Sequence, residues 1–163
     1  MNTREDRRFG DLKTALPGAL DDYLSEYPEP VLVVEPFEDT PPQIPYETPA
    51  SYSLAQAEQL DRRFAHNARV HWLSGQVISV GRTSDNDVIF DHSSVSKVHA
   101  AFREQGDLWE IEDTHSTNGT IVSGVQFEPL VPSQLKDGDW VYFGDVRARF
   151  LSAQLFWEIL QEN

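Results

Sequence analysis

The sequence predicts a mostly β fold of the sandwich type. Three observations carry that expectation. From about residue 70 onward, short runs rich in β-branched and aromatic residues recur with turn residues between them. Three polar signatures, Gly81-Arg82, Ser96-Lys97-Val98-His99 and Ser116-Thr117-Asn118-Gly119, each lie beside one of those runs, as end loops of a β-scaffold would. The length of 163 residues, with 39% hydrophobic and 11% aromatic residues, is ample for a buried core.

In chain order, residues 1–27 read as a polar N-terminal arm of mixed charge. Leu12, Ala15, Leu16, Ala19, Leu20 and Tyr23 fall on one helical face, but Pro17 and Gly18 interrupt it, so a marginal helix or a disordered arm is expected. Val31-Leu32-Val33-Val34, fenced by Pro28, Pro30 and Pro36, is the first strand. Residues 37–67 read as an insertion after it. The stretch from Phe37 to Ser53 is rich in Pro, Glu and Thr and suits an extended linker. Leu54, Ala57, Leu60 and Phe64 then recur at helical spacing behind a Ser53 cap, giving a helix over 54–66.

The period then changes. Strands are expected at Val70–Leu73, Val77–Val80, Val88–Phe90, His99–Phe102, Leu108–Ile111, Thr120–Val122, Val125–Phe127, Trp140–Phe143 and Val146–Leu151. Gln105-Gly106-Asp107, Ser123-Gly124 and Gly144-Asp145 are the turns of three hairpins. Ser152 caps a final helix, residues 153–163, with Leu155, Phe156, Ile159 and Leu160 turned inward. One main domain over 28–152, flanked by the arm and this helix, is the expected organisation.

The formal net charge is −14. Residues 1–67 carry 13 acids and 6 bases, and residues 68–163 carry 14 and 7, so each part stands at −7. No basic half offers a footprint for nucleic acid or an anionic membrane. Cysteine is absent, which excludes disulfides and thiolate metal sites. No run approaches the ~18 apolar residues of a membrane span, and no secretory signal is visible. A cytoplasmic protein without metal or cofactor is expected.

Arg82, Ser96, Lys97, Thr117 and Asn118 would meet at one end of the scaffold. Together they offer a guanidinium fork, an ammonium, two hydroxyls and an amide, with no carboxylate. Such a set suits an anion. The amide of Asn118 can both donate and accept.

Gly-Arg, then Ser-x-x-His, then Ser-x-Asn-Gly-Thr, in this order and at these intervals, resembles the forkhead-associated (FHA) domain of small bacterial FHA proteins. The resemblance covers Gly75 to Leu151. It implies a sandwich of two antiparallel sheets that binds phosphothreonine peptides and has no catalytic activity. By the same resemblance, Arg82, Ser96, Lys97 and Thr117 hold the phosphate and Asn118 grips the adjoining peptide backbone. Gly81, His99, Asp113, Ser116 and Gly119 support the site structurally, the two glycines through backbone geometry. The expected partner is a threonine-phosphorylated protein or a Ser/Thr kinase. Ser123-Gly124 stands where the family commonly has Asn-Gly. Ser94 stands where some members carry a basic residue, so no preference for an acidic ligand residue is expected from that loop.

Two other readings compete. One is a scaffold that uses the same sandwich without a phosphate. The other is a hydrolase using Ser96 and His99, against which stands the absence of a Gly-x-Ser-x-Gly elbow, a phosphate-binding glycine loop or a metal cluster. His66, His71, His92 and His115 show no metal-ligand spacing and read as surface or packing residues. Finally, Thr40 and Thr48 each follow an acid and precede a proline in the linker, where a kinase could reach them. Phosphorylated there, the chain could bind itself or a second copy.

Overall fold

The computed structural model describes residues 7–16, 18–37 and 64–162. Two sheets face each other. The first contains β1 (Arg7–Arg8), β2 (Val31–Val34), β3 (Arg69–Trp72), β8 (Thr120–Val122), β9 (Val125–Gln126), β11 (Trp140–Phe143) and β12 (Val146–Leu151). Its order is β1-β3-β2-β12-β11-β8-β9, and every pair is antiparallel. The second contains β4 (Val77–Gly81), β5 (Val88–Ile89), β6 (Ala100–Gln105), β7 (Leu108–Asp113) and β10 (Ser133–Gln134), in the order β10-β7-β6-β4-β5. Its pairs are antiparallel except the two-residue pairing of β4 with β5, which is parallel. The expected sandwich is thus present, built from the expected strands and two unexpected two-residue ones, β1 and β10. The hairpin turns behave as their residues require. Ser123 and Gly124 both have positive φ (46° and 84°), as does Gly106 (63°).

Between the sheets lies the main core, which includes Leu32, Val34, Val80, Phe90, Phe102, Ile111, Phe143 and Phe150. A second core covers the outer face of the first sheet. There Val31, Val33, Val70 and Leu151 pack against Phe9, Leu12, Tyr23, Phe156 and Ile159. The strand β2 therefore alternates between two cores and buries all four residues, which explains its unbroken apolar run.

Three helices supply the second core: α1 (Phe9–Ala15), α2 (Leu20–Glu26) and α3 (Ala153–Glu162). The N-terminal residues, expected as a marginal helix or a disordered arm, form the first two. Each has 7 residues, too short to persist alone in water. Burial of Phe9, Leu12 and Tyr23 against the sheet holds them, and Arg7–Arg8 extends that sheet beside β3. Ser152 caps α3 as expected: its hydroxyl accepts the Leu155 N–H at 3.1 Å. Asp137 fixes Ser152 in turn, accepting from its N–H at 2.7 Å and its hydroxyl at 2.6 Å. The expected linker and helix fall largely outside the described residues, as do Thr40 and Thr48. Among the described residues no helix is long and apolar enough to cross a membrane.

Candidate functional site

The strands β4, β7 and β11 all end at one edge of the sandwich. There the β4–β5 loop, the β5–β6 loop, the β7–β8 loop and the Gly144-Asp145 turn come together. A network of hydrogen bonds locks them. The Arg82 N–H donates to Ser96 O at 2.9 Å, and its Nε donates to Val95 O at 3.0 Å. The terminal nitrogens of the fork stay uncommitted, and no carboxylate among the described residues pairs with them. Ser96 Oγ accepts the Thr117 N–H at 2.9 Å, which joins the second signature to the third. Asn118 Nδ2 donates to Ser94 O at 2.8 Å, leaving the amide oxygen to accept elsewhere. Arg82, Ser96, Thr117 and Asn118 are thus linked directly or through one shared loop. Lys97 joins them by chain position, with its ammonium exposed and unpaired among the described residues.

His99 sits beneath these bonds, fully buried immediately before β6. Its Nδ1 accepts the Ser96 N–H at 3.0 Å, so that nitrogen carries no proton. The proton is on Nε2, which donates to Gly119 O at 2.9 Å. One neutral ring therefore ties the Ser96 loop to the Asn118-Gly119 turn. Burial holds its pKa below the ordinary value, outweighing the Gly119 carbonyl and the nearby Asp113 carboxylate, which act the other way. Neither nitrogen faces Ser96 Oγ in these bonds, so no nucleophile–base pair is formed.

Asp113, 1% exposed, organises the next turn. Its carboxylate accepts the Ser116 N–H at 2.9 Å, the Ser116 hydroxyl, and the Thr120 hydroxyl at 2.6 Å. Ser116 Oγ then accepts the Gly119 N–H at 2.9 Å. Burial is the largest single influence on Asp113 and pushes its pKa up. The hydrogen bonds from Ser116 and Thr120 together outweigh burial and hold it below the ordinary value.

The two glycines differ. Gly119 has φ +82°, where a side chain is strained, and a Cβ would also meet Gln126 at 2.6 Å. Gly81 is needed for close approach instead. A Cβ there would collide with the Lys97 carbonyl oxygen and lie 2.6 Å from Asn86 Nδ2.

Sequence reasoning missed three supports. Buried Asn86 donates through Nδ2 to Lys97 O at 2.7 Å and Thr83 O at 2.9 Å, bracing the Arg82 loop. Thr83 Oγ1 donates to the same Lys97 oxygen at 3.0 Å. Ser94 Oγ accepts the Asp145 N–H at 2.9 Å and meets His92 Nδ1 at 2.8 Å, while its carbonyl holds Asn118. Ser94 was legible only as a position where some family members carry a basic residue, not as a support.

Residues 78–144 match the family model described as the FHA domain. An oxoglutarate dehydrogenase inhibitor of Corynebacterium jeikeium is 39% identical over 80 residues, 49% of this chain and 54% of that protein. A glycogen accumulation regulator, GarA, of Mycolicibacterium smegmatis is 39% identical over 74 residues, 45% of each chain. The chain spans about half the length of these curated relatives. Among solved structures, the FHA domain of a Chlamydia trachomatis protein superposes with a TM-score of 0.55 at 20% identity, over 76% of this chain and 97% of that one. EmbR of Mycobacterium tuberculosis, in complex with a low-affinity phosphopeptide, superposes with a TM-score of 0.51 at 23% identity, over 75% and 24%. Both likenesses establish the same fold.

Proposed function

We propose that this chain, whose residues 78–144 match the FHA family model, is a non-catalytic phosphothreonine-peptide adaptor acting in the cytoplasm in Ser/Thr-kinase signalling. One observation carries the reading. The Arg82 fork, the Lys97 ammonium and the Thr117 hydroxyl are all exposed and free of carboxylate partners among the described residues, on loops that buried side chains hold rigid. Donors fixed in advance and left unsatisfied suit a phosphate.

In this reading Arg82 gives two charge-assisted bonds to the phosphate, and Ser96, Lys97 and Thr117 add the rest. Ser96 accepts from Thr117 N–H and keeps its own O–H to donate. The Asn118 amide oxygen meets a backbone N–H of the ligand, so an extended peptide is bound and not merely an anion. The partner is a threonine-phosphorylated protein or a Ser/Thr kinase. Relatives named as an inhibitor and a regulator favour control of another protein over chemistry on a substrate.

A peptide array carrying phosphothreonine, phosphoserine and unmodified threonine tests this directly. Phosphothreonine should bind tightest and threonine not at all. Arg82→Ala should lower affinity about a hundredfold or more, since charged hydrogen bonds contribute about 1.5–3 kcal/mol each, while the melting curve stays in place. Undiminished affinity in the folded variant sinks the assignment. The linker adds a self-binding reading. A phosphate on Thr40 or Thr48 would present a tethered ligand at an effective concentration of about millimolar where its reach allows. Protein phosphorylated at either position should then bind phosphopeptide more weakly or dimerise. Identical affinity and oligomeric state exclude it.

A further inference from the structure

The end of the sandwich opposite the loops of the candidate site holds a second feature. Two hollows of about 280 and 340 Å³ meet there, sharing Pro28, Pro30, Asp107 and Trp109. They lie where β2 begins, where β3 passes to β4, and where β6 turns into β7. The floor of the larger hollow is mainly apolar, while that of the smaller is mixed. Leu73, Leu135 and Phe150 belong to the buried core, and the half-buried Trp109 ring lies 6.5 Å from that of Phe150. Leu108 stands on the lip, 49% exposed. Around this floor are four carboxylates, those of Glu29, Glu104, Asp107 and Asp137, and no Lys, Arg or His lines either hollow.

The carboxylates are not equivalent. Asp137 is committed to Ser152. Glu104 and Asp107 are exposed and form no ion pair among the described residues. An apolar floor favours a bulky apolar side chain. The unpaired carboxylates at its rim attract cations and repel acidic flanks, which gives the hollow a preference by charge. The volumes lie just below and just above the lower limit for ligand sites, about 300 Å³, and so suit one or two side chains.

We propose that this groove docks a short basic peptide segment, one bulky apolar side chain flanked by Lys or Arg, on a partner protein. The site is separate from the phosphate loops. It would let the module hold a partner at two ends of the sandwich, one contact dependent on phosphate and one not.

The test uses the full ¹⁵N-labelled chain titrated with a blocked KRFRK peptide and, separately, with its acidic counterpart EDFDE. The basic peptide should give saturable shifts confined to the amides of Leu108 and Trp109, the Trp109 indole, and their neighbours. The acidic peptide should give none. The double reversal Glu104→Lys with Asp107→Lys should weaken binding at least tenfold, and Leu108→Asp, at an exposed position, should do the same. Affinity for a phosphothreonine peptide, measured in parallel, should change less than twofold in both variants. The proposal is overturned by the absence of saturation, by shifts scattered over carboxylates elsewhere on the chain, by equal binding of the acidic peptide, or by variants that bind undiminished. The parallel phosphopeptide titration reports separately on the phosphate-binding reading.

Discussion

Replacing His99 by alanine tests how the candidate site is held together. The ring is fully buried and makes two bonds across the loops, Ser96 N–H to Nδ1 at 3.0 Å and Nε2–H to Gly119 O at 2.9 Å. Alanine removes the ring from both bonds: the part-buried Ser96 N–H is left unmatched, at about 1–3 kcal/mol, and Gly119 O keeps only the longer 3.4 Å bond from Gly144 N–H. It also opens a cavity beside Phe143, whose ring meets the imidazole edge-on at 5.8 Å. The combined loss should be about 3–5 kcal/mol. For a chain of this size that lowers the melting temperature by about 6–20 °C. Urea titration followed by tryptophan fluorescence measures the first quantity and a thermal melt the second. Phosphopeptide affinity should fall as well, because the Ser96 and Asn118 loops lose their common anchor. A variant destabilised by less than about 1 kcal/mol, with peptide binding intact, would refute the bracing role. Loss of a hydrolytic activity at unchanged stability would instead revive the reading of Ser96 and His99 as nucleophile and base.

Two further outcomes follow from the same geometry. Because folding holds the His99 pKa below its ordinary 6.5, the unfolded chain takes up a proton first as the pH falls. The stability from neutral His99 is therefore full above about pH 6.5 and is lost progressively below it, and His99→Gln should flatten that part of a urea-midpoint profile between pH 7 and 5. Gly81→Ala should displace Lys97 or Asn86 by steric contact alone, so the variant should melt lower and bind phosphopeptide at least tenfold more weakly; unchanged affinity would mean that the Arg82 loop does not depend on this close approach.

What local sequence determined was the list of strands and the chemistry of the loops. Strand runs announce themselves through β-branched and aromatic residues. Turns such as Ser123-Gly124 need the positive φ that small residues accept. That Arg82, Ser96, Lys97, Thr117 and Asn118 lie on loops at one end of the sandwich was legible for a related reason: polar signatures at strand ends have no core to pack. Ser152 was legible because capping is decided within one turn of helix. The tertiary structure decided everything that depends on partners distant in the chain. The 7-residue helices α1 and α2 exist because Phe9, Leu12 and Tyr23 find the back of a sheet formed mostly by later residues. The two-residue strands β1 and β10 have no period to read, and only the neighbouring strands β3 and β7 create them. Arg149 is buried despite its charge because Gly138 O accepts its Nε–H at 3.0 Å and the Trp140 ring lies 4.9 Å from its guanidinium. Gly81 looks locally like any loop glycine, and its necessity comes from a carbonyl sixteen residues away. Propensity acts within a few residues, whereas burial and close approach are properties of surfaces that come together only when the chain has folded.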